Sequence, residues 1–543
     1  MSGLASRLAP ELVLTGIACV LFLTGCSRAV AARRAAAWVA LLGIVGALAA
    51  EIYLGPEGAV LEHSTGSVRL DSLSSYIIVI TCIVGVLLLL LSWPTDHEQT
   101  GNSGMRFGED AGEYFGLFIL SLAGLMLVAV ANDLIILFLS LELVSIPTYI
   151  MVSTSRPSAV AQEAGLKYFF LGALSIALML FGFSYLYGAT GAVTFQSITA
   201  VLRKGLSADE APALASWAKL GLVLVLLGFA YKMAAFPLHF YAGDVYEGAG
   251  TPVTAFLAFV PKAAGFVAMV RMLSLVGGEQ FALPDWLVRL LWIMAALTMC
   301  VGNVLGLLQN NVKRVLAYSS IAHSGYMLVA VTALCSSSAD RSAQALQGVL
   351  FYLAAYGVMN SGAFGVLMLL PSRQGSGSAE TFDEIAGQGR RHVLLGLAMA
   401  IACFSLIGIP LTVGFIGKVL LIQPGWQSDN KWLVIILVVN AAVSAAYYLR
   451  IVGAMFLRPH GALMSVDEGL EADPNAPWRQ RPVAGGVIMS AVLTLGFGLI
   501  PPATQMFADY ARQGATLEMS SEGEVQPATR TPGPAAGKPA PKP

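Results

Sequence analysis

YKMAAFPLHFYAGDVYEGAGTPVTAFLAFVPKAAGF, residues 231–266, decides how the chain is read. It is largely apolar, yet it carries Lys232, His239 and Lys262 and is interrupted by Pro237 and Pro261. Further out, three more ionisable side chains sit in apolar runs: Glu142 in LFLSLELVSIP (137–147), Lys167 and Lys418. A charge at bilayer depth costs at least ~3 kcal/mol on insertion scales. Such a cost is rarely carried five times, at Glu142, Lys167, Lys232, Lys262 and Lys418, without a use. Four of the five are lysines, whose proton affinity shifts readily on burial. A row of acid–base groups across a membrane reads first as an ion or proton path.

The composition agrees. The 543 residues are 57% hydrophobic and 12% charged, about half the roughly 25% charged of a soluble domain. Mean hydropathy is +0.73. The chain therefore reads as a polytopic membrane protein, and a net charge of −1 argues against nucleic acid as a partner. Cys19, Cys26, Cys82, Cys300, Cys335 and Cys403 are scattered, with no CxxC pair. No zinc or iron–sulfur site is expected from them; they read as small buried hydrophobes. Arg7, an apolar stretch and Leu23-Thr24-Gly25-Cys26 imitate a lipoprotein signal. Glu11 interrupts that stretch, and Arg28, Arg33 and Arg34 follow it at once. A signal peptide carries its positive charge before the apolar stretch. The segment reads instead as a first membrane helix ending on the cytoplasmic side.

Spans of about 20 apolar residues number fourteen, near 11–27, 35–54, 73–93, 114–131, 133–153, 163–187, 216–240, 251–276, 286–308, 312–334, 342–371, 392–423, 431–457 and 482–506. The expected fold is an all-α polytopic membrane protein of about fourteen transmembrane helices. Lysine and arginine are concentrated in the odd-numbered loops, at Arg28, Arg33, Arg34, Arg106, Arg156, Lys313, Arg314, Arg373, Arg390, Arg391, Arg450, Arg458, Arg479 and Arg481. Those loops are expected to be cytoplasmic, with both termini outside. The tail from about Ala508 is rich in Pro, Ala, Gly and Glu and reads as disordered.

Two spans carry helix breakers in mid-segment: 232–239 with Pro237, and Gly408-Ile409-Pro410 ahead of Lys418. Broken helices at matching places in two halves point to an ion or substrate site. The breaks fall in the seventh and twelfth spans, five helices apart, and an odd spacing inverts topology. Spans 4–8 and 9–13 are therefore expected to be inverted five-helix repeats. Proline and glycine are also simply common in membrane helices, but that would not predict a lysine close to each break. The expected units are 1–113, a three-helix segment; 114–276 and 286–457, the two repeats; 458–507, a loop and last helix; and 508–543, the tail.

Lys232 and His239, seven apart, would share a helix face about 10 Å apart along the axis. Pro237 lies between them, so the lower part is open to unwinding, and Pro261 loosens the helix at Lys262. Glu142 is the one acid deep in a span. A carboxylate beside a lysine favours the ammonium, and its departure favours the neutral amine. His239 and His323 suit relay roles because imidazole titrates near neutral pH; for His323 a hydrogen-bonded structural histidine is an equally simple reading. Lys167 has a snorkelling alternative, and Lys219 is read as snorkelling. Asp244 and Glu247 are read as solvated or capping.

These residues carry a resemblance. LELVSIP (141–147), KYFFLGALSIALMLFG (167–182), the 231–266 stretch, NVKRVLAYSSIAHSGYML (311–328) and GIPLTVGFIGK (408–418) occur in order. Together they resemble the antiporter-like membrane subunits of proton-pumping NADH:quinone oxidoreductase, respiratory complex I, and among them the subunit N family. The resemblance implies fourteen helices with two inverted repeats. It implies that Glu142 and Lys232 form the family's Glu–Lys pair, that Lys262 is its central lysine and Lys418 its exit-side lysine, and that Lys167 and His239 fill further family positions. Tyr231 before Lys232 departs from the phenylalanine of many relatives. A multisubunit cation/proton antiporter shares the Glu–Lys layout, but DVYEGAGTPVTAF and a lysine at 418 favour the first family. A stand-alone solute carrier or lipid-linked enzyme would need a recognition cluster or nucleophile motif, which the sequence lacks. There is no GxGxxG opening a helix after a strand. NADH, FMN, iron–sulfur clusters and quinone are thus implied in partner subunits, with a hetero-oligomer in the bacterial inner membrane as the setting.

Overall fold

The computed structural model describes residues 8–27, 30–54, 66–93, 110–205, 212–277, 283–334, 339–370, 379–428, 430–458 and 480–515. Among them regular structure is helical, with three isolated β-bridges. The helices are α1 (Ala9–Gly25), α2 (Val30–Leu54), α3 (Ser72–Leu91), α4 (Ala111–Val130), α5 (Leu134–Thr154), α6 (Ala159–Thr190), α7 (Phe195–Gly205), α8 (Pro212–Lys232), α9 (Tyr241–Gly248) and α10 (Thr251–Gly277). They continue as α11 (Asp285–Leu307), α12 (Val312–Ala333), α13 (Ala339–Leu369), α14 (Phe382–Ile385), α15 (Gln388–Arg391), α16 (Val393–Ile407), α17 (Val413–Gln427), α18 (Lys431–Leu457), α19 (Arg481–Leu499) and α20 (Pro501–Ala515).

Eleven of the described helices are long and apolar enough to cross a membrane, or twelve if the pair bent by 119° at His392 counts as one span. The chain is a multi-span membrane protein. Short polar caps separate the spans. Asp133 accepts from the Ile136 amide at 2.6 Å and starts α5 after a link of only three residues, 131–133, from the end of α4. Asp71 and Ser74 cap α3 reciprocally, and Asn311 caps α12. A side-chain acceptor at this position satisfies an amide that the helix cannot.

Burial sorts the helices. In α10, α12 and α13 nearly every side chain of the apolar window is inside the protein, whereas α6, α18 and α19 bury about a third of theirs. A helix that is apolar all round belongs to the interior. The three interior helices carry Lys262, His323 and a run of tyrosines, so the chemistry-bearing groups sit at the centre of the fold.

The breaks are real but differ in detail from the expectation. α8 ends at Lys232 itself; Ala234 follows with φ 54° and the Phe236–Pro237 peptide is cis. Lys232 and His239 therefore do not share a helix face. The second break, residues 408–412, separates α16 from α17, with Gly408 at φ 91° and Leu411 at φ 74°. α10, by contrast, runs on through Pro261, because packing on every side keeps it helical where the sequence alone would let it loosen. The tail also starts later: residues 508–515 continue α20, whose Tyr510 ring lies 5.1 Å from that of Tyr76. Residues 516–543 lie outside the described residues, as do Arg7, Arg28, Arg106, Cys335, Arg373 and Arg479.

Candidate functional site: a polar row through the apolar core

Lys232 is buried at the C-terminal end of α8. Its Nζ lies 3.5 Å from Glu142 Oε1 on α5 and also donates to the hydroxyl of Ser145, one turn along. The pair expected from the sequence is present, with a hydroxyl as its third member. Beyond it the Ser324 hydroxyl donates to the Met233 carbonyl at 2.6 Å, and lies 3.3 Å from the carbonyl oxygen of Ser320. That Ser320 carbonyl, with the Ser320 hydroxyl, accepts from Lys262 Nζ. Lys262 thus bonds α12 directly, while Lys232 adjoins the same strip through the backbone carbonyl of the next residue, Met233.

Lys262 also lies 4.7 Å from the centre of the Tyr356 ring, within cation–π reach. Tyr356 is 5.2 Å from the His323 ring on its other side. His323 is fully buried; Nδ1 is 2.6 Å from the Tyr352 hydroxyl and Nε2 is 3.0 Å from the Tyr448 hydroxyl. Tyr326, 5.3 Å from His323, lies under Lys418 Nζ at 5.0 Å. Lys418 donates to the carbonyls of Leu406 and Ile407, at 2.9 and 2.7 Å. These are last-turn carbonyls of α16, the ones a helix leaves without partners. His323 accordingly sits between Lys262 and Lys418, and both of its nitrogens are engaged.

Lys167 and His239 lie elsewhere. Lys167 is half-exposed and pairs with Glu163 at 2.9 Å and Asp244 at 2.8 Å. It belongs to a charge network: Arg314 bridges Asp244 (2.9 Å) and Glu247 (2.7 Å), while buried Lys313 donates to the Ala249 carbonyl at 2.6 Å and lies 3.3 Å from Glu380, which Arg156 also pairs. Asp244 and Glu247 are thus neither merely solvated nor capping; they tie α9 to α12. Burial raises the Asp244 carboxyl, but the Lys167 hydrogen bond and charge, then Arg314, hold it below the usual range. His239 is buried beside Phe236 and Phe240, and its Nδ1 has no hydrogen-bond partner. Lys219 is exposed on α8.

The serines and tyrosines of the row were not singled out from the sequence. A signal existed: Ser320, His323 and Ser324 stand at i, i+3 and i+4, one face of α12. The tyrosines of α13 and α18 are distant in sequence and only packing brings them to His323. Among the described residues no group of three His, Cys, Asp or Glu side chains is arranged to hold a metal.

Comparison with known proteins follows the same elements. Residues 131–444 match the family described as NADH:quinone oxidoreductase/Mrp antiporter, TM. NADH-quinone oxidoreductase subunit N of Trichlorobacter lovleyi is 37% identical over 504 residues, 92% of this chain and 96% of that protein. The subunit N of Myxococcus xanthus is 36% identical over 86% of this chain and 90% of its own length. Among solved structures, a chain of respiratory complex I from Thermus thermophilus superposes with a TM-score of 0.69 at 30% identity, covering 91% of this chain and 97% of that one. A chain of the Mrp complex from a Dietzia species reaches 0.71 at 20% identity over 93% and 97%, a likeness of fold alone. The ionisable groups of the row, from Glu142 to Lys418, thus lie within the matched region, and the chain belongs to the subunit N family of NADH-quinone oxidoreductases.

Proposed function

We propose that this chain is a non-redox, proton-translocating subunit of NADH:quinone oxidoreductase, driven by electron transfer from NADH to quinone in partner subunits. The observation that carries the reading is the row of buried lysines Lys232, Lys262 and Lys418, with Glu142 at one end and serine hydroxyls, His323 and tyrosine rings between them, in an otherwise apolar interior. Each member can do one thing. Glu142 holds Lys232 as an ammonium, and separation of the two favours release of its proton. Lys262 and Lys418 rest on neutral oxygens and aromatic faces, which accept an ammonium without pinning it to a carboxylate. His323, bonded through both nitrogens, takes a proton on one and gives one from the other. Ordered water would complete the steps that exceed the roughly 3 Å of a hydrogen bond. Lys167 and His239 are assigned supporting positions in the first half.

In this reading the chain crosses a bacterial inner membrane fourteen times with both termini outside. It is built from a three-helix segment (1–113), two inverted repeats (114–276 and 286–457) and a final helix (458–507). Its energy arrives through contacts with neighbouring membrane subunits, which hold or adjoin those with FMN, iron–sulfur clusters and bound quinone. The test is NADH-driven proton uptake by vesicles carrying the assembled complex with Lys262→Ala in this subunit. The expected result is impaired pumping with the complex intact; parent-level pumping would remove the row from the path.

A further inference from the structure

Glu11 and Glu51 are not used by the row. Glu11 is 2% exposed near the start of α1, and neither of its carboxyl oxygens has a hydrogen-bond partner. Glu51 is 8% exposed near the end of α2 and accepts from the Ser75 hydroxyl of α3 at 2.6 Å. α1 and α2 form a close antiparallel hairpin. A Cβ on Gly43 would stand 2.8 Å from Ile17, and one on Gly46 3.5 Å from Val13. The next turn in that register brings Glu11 to the end of α2, the turn that carries Glu51.

The surroundings offer no compensating cation among the described residues. α3 contributes Ser75, which bonds Glu51, and α20 packs Tyr510 against Tyr76 of α3. Arg69 and Arg271, at this end of α3, are both engaged by Asp71; Arg271 grips it with contacts of 2.5 and 2.7 Å. Arg512 on α20 is exposed. Two ionised carboxylates buried together, with no cation beside them among the described residues, are disfavoured against one acid and one carboxylate. The hydrogen bonds distinguish the two: Glu51 has a donor, Glu11 has none.

We propose that Glu11 and Glu51 form a proton-binding site in which Glu11 holds the proton as a carboxylic acid and Glu51, at the edge, is the carboxylate through which it enters and leaves. The site lies on helices that carry none of the lysine row. Binding adds one proton to the pair and cancels one of its two negative charges; no other group changes. Tyr76 donates to the carbonyl of Leu350 at 3.1 Å, two residues before the Tyr352 that holds His323. The pair therefore borders the helix that supports the row without belonging to it.

Infrared difference spectroscopy of the assembled complex tests this. Glu11→Gln should remove one carboxylic-acid C=O band from the parent spectrum at neutral pH. Glu51→Gln should keep the band but slow its shift on transfer to deuterium oxide. Lys262→Ala should leave both band and exchange unchanged, which separates this site from the row. If Glu11→Gln does not assemble, Glu11→Asp should move the band to a new position. An acid region unchanged by both Glu11 variants would overturn the site. Unaltered exchange in Glu51→Gln would overturn the route, and loss of the band in Lys262→Ala would return the proton to the row.

Discussion

Lys418 reaches back across the break between α16 and α17 and donates to the carbonyl of Leu406 at 2.9 Å. The lysine and the frayed helix end satisfy each other. Unpartnered carbonyls in an apolar interior are costly, and a lysine without acceptors is costlier still. The break is thus what makes a buried lysine tolerable. Gly408 completes the arrangement: it adopts φ 91°, and a Cβ there would stand 2.9 Å from Lys418 Cδ.

Gly408→Ala should therefore displace Lys418 as well as strain the turn. The expected outcome is a loss of proton pumping in assembled complex greater than the loss of assembly. Pumping that tracks assembly one for one would mean that the turn does not position the lysine.

Lys262→Arg should be no better than Lys262→Ala. Arginine keeps the charge but does not deprotonate in a protein, whereas a relay must release its proton. NADH-driven pumping should fall well over tenfold in both, since a positioned acid–base group contributes about 10²–10⁴. Near-normal pumping with Arg would mean that residue 262 supplies charge to the fold and relays nothing.

Lys232→Ala should lower quinone reductase activity and pumping more than Glu142→Gln. Ser145 keeps a partner for the lysine when the carboxylate is gone. Glu142→Asp should be milder still, because charge is kept and only reach is lost. The order is read from turnover of purified complex; Glu142→Asp as the most damaging of the three would overturn the tuning role.

Tyr352→Phe and Tyr448→Phe each remove one hydrogen bond from His323. A relay needs both sides of the imidazole, so either change should slow pumping, and the double variant should add little to the worse single one. A purely structural histidine would instead give roughly additive losses of stability with pumping per assembled complex unchanged.

Arg271 and Asp71 form a buried ion pair that fastens α10 to the start of α3. Removing one partner of such a pair costs about 3–5 kcal/mol, so Asp71→Asn should lower the thermal midpoint or prevent assembly. Burial raises the Asp71 carboxyl, but the charge and hydrogen bonds of Arg271, then Arg69, outweigh it and hold it low. A carboxyl lowered by folding contributes stability fully above its unfolded pKa, near ~4, and loses it as pH falls through the folded value. The pair should leave stability flat across neutral pH and contribute to unfolding only in acid; a parent-minus-variant difference that varies between pH 6 and 8 would contradict this.

Much of this was legible beforehand. Apolar runs separated by Asp71, Asp133 and Asn311 set where helices start, since capping is a local property. The positions of both breaks followed from Pro237, Gly408 and Pro410, the burial of Lys232, Lys262 and Lys418 from the use that a charge in an apolar span must have, and the pairing of Lys232 with Glu142 from the family resemblance. Lys167 did not follow, because the carboxylate that pairs it, Asp244, lies 77 residues away on a helix that exists only because α8 stops early.

By itself, the sequence determined an all-helical membrane chain, its breaks, its family and the ionisable groups that must be used or satisfied, because hydropathy, capping and helix breaking act over a few residues. Only the tertiary structure decided which groups touch. It set His323 between Tyr352 and Tyr448, gave Lys262 to Ser320, kept α10 helical through Pro261 and buried Glu11 on the turn of the hairpin that faces Glu51. Those outcomes depend on contacts between helices tens to hundreds of residues apart, where packing rather than local propensity selects the partner.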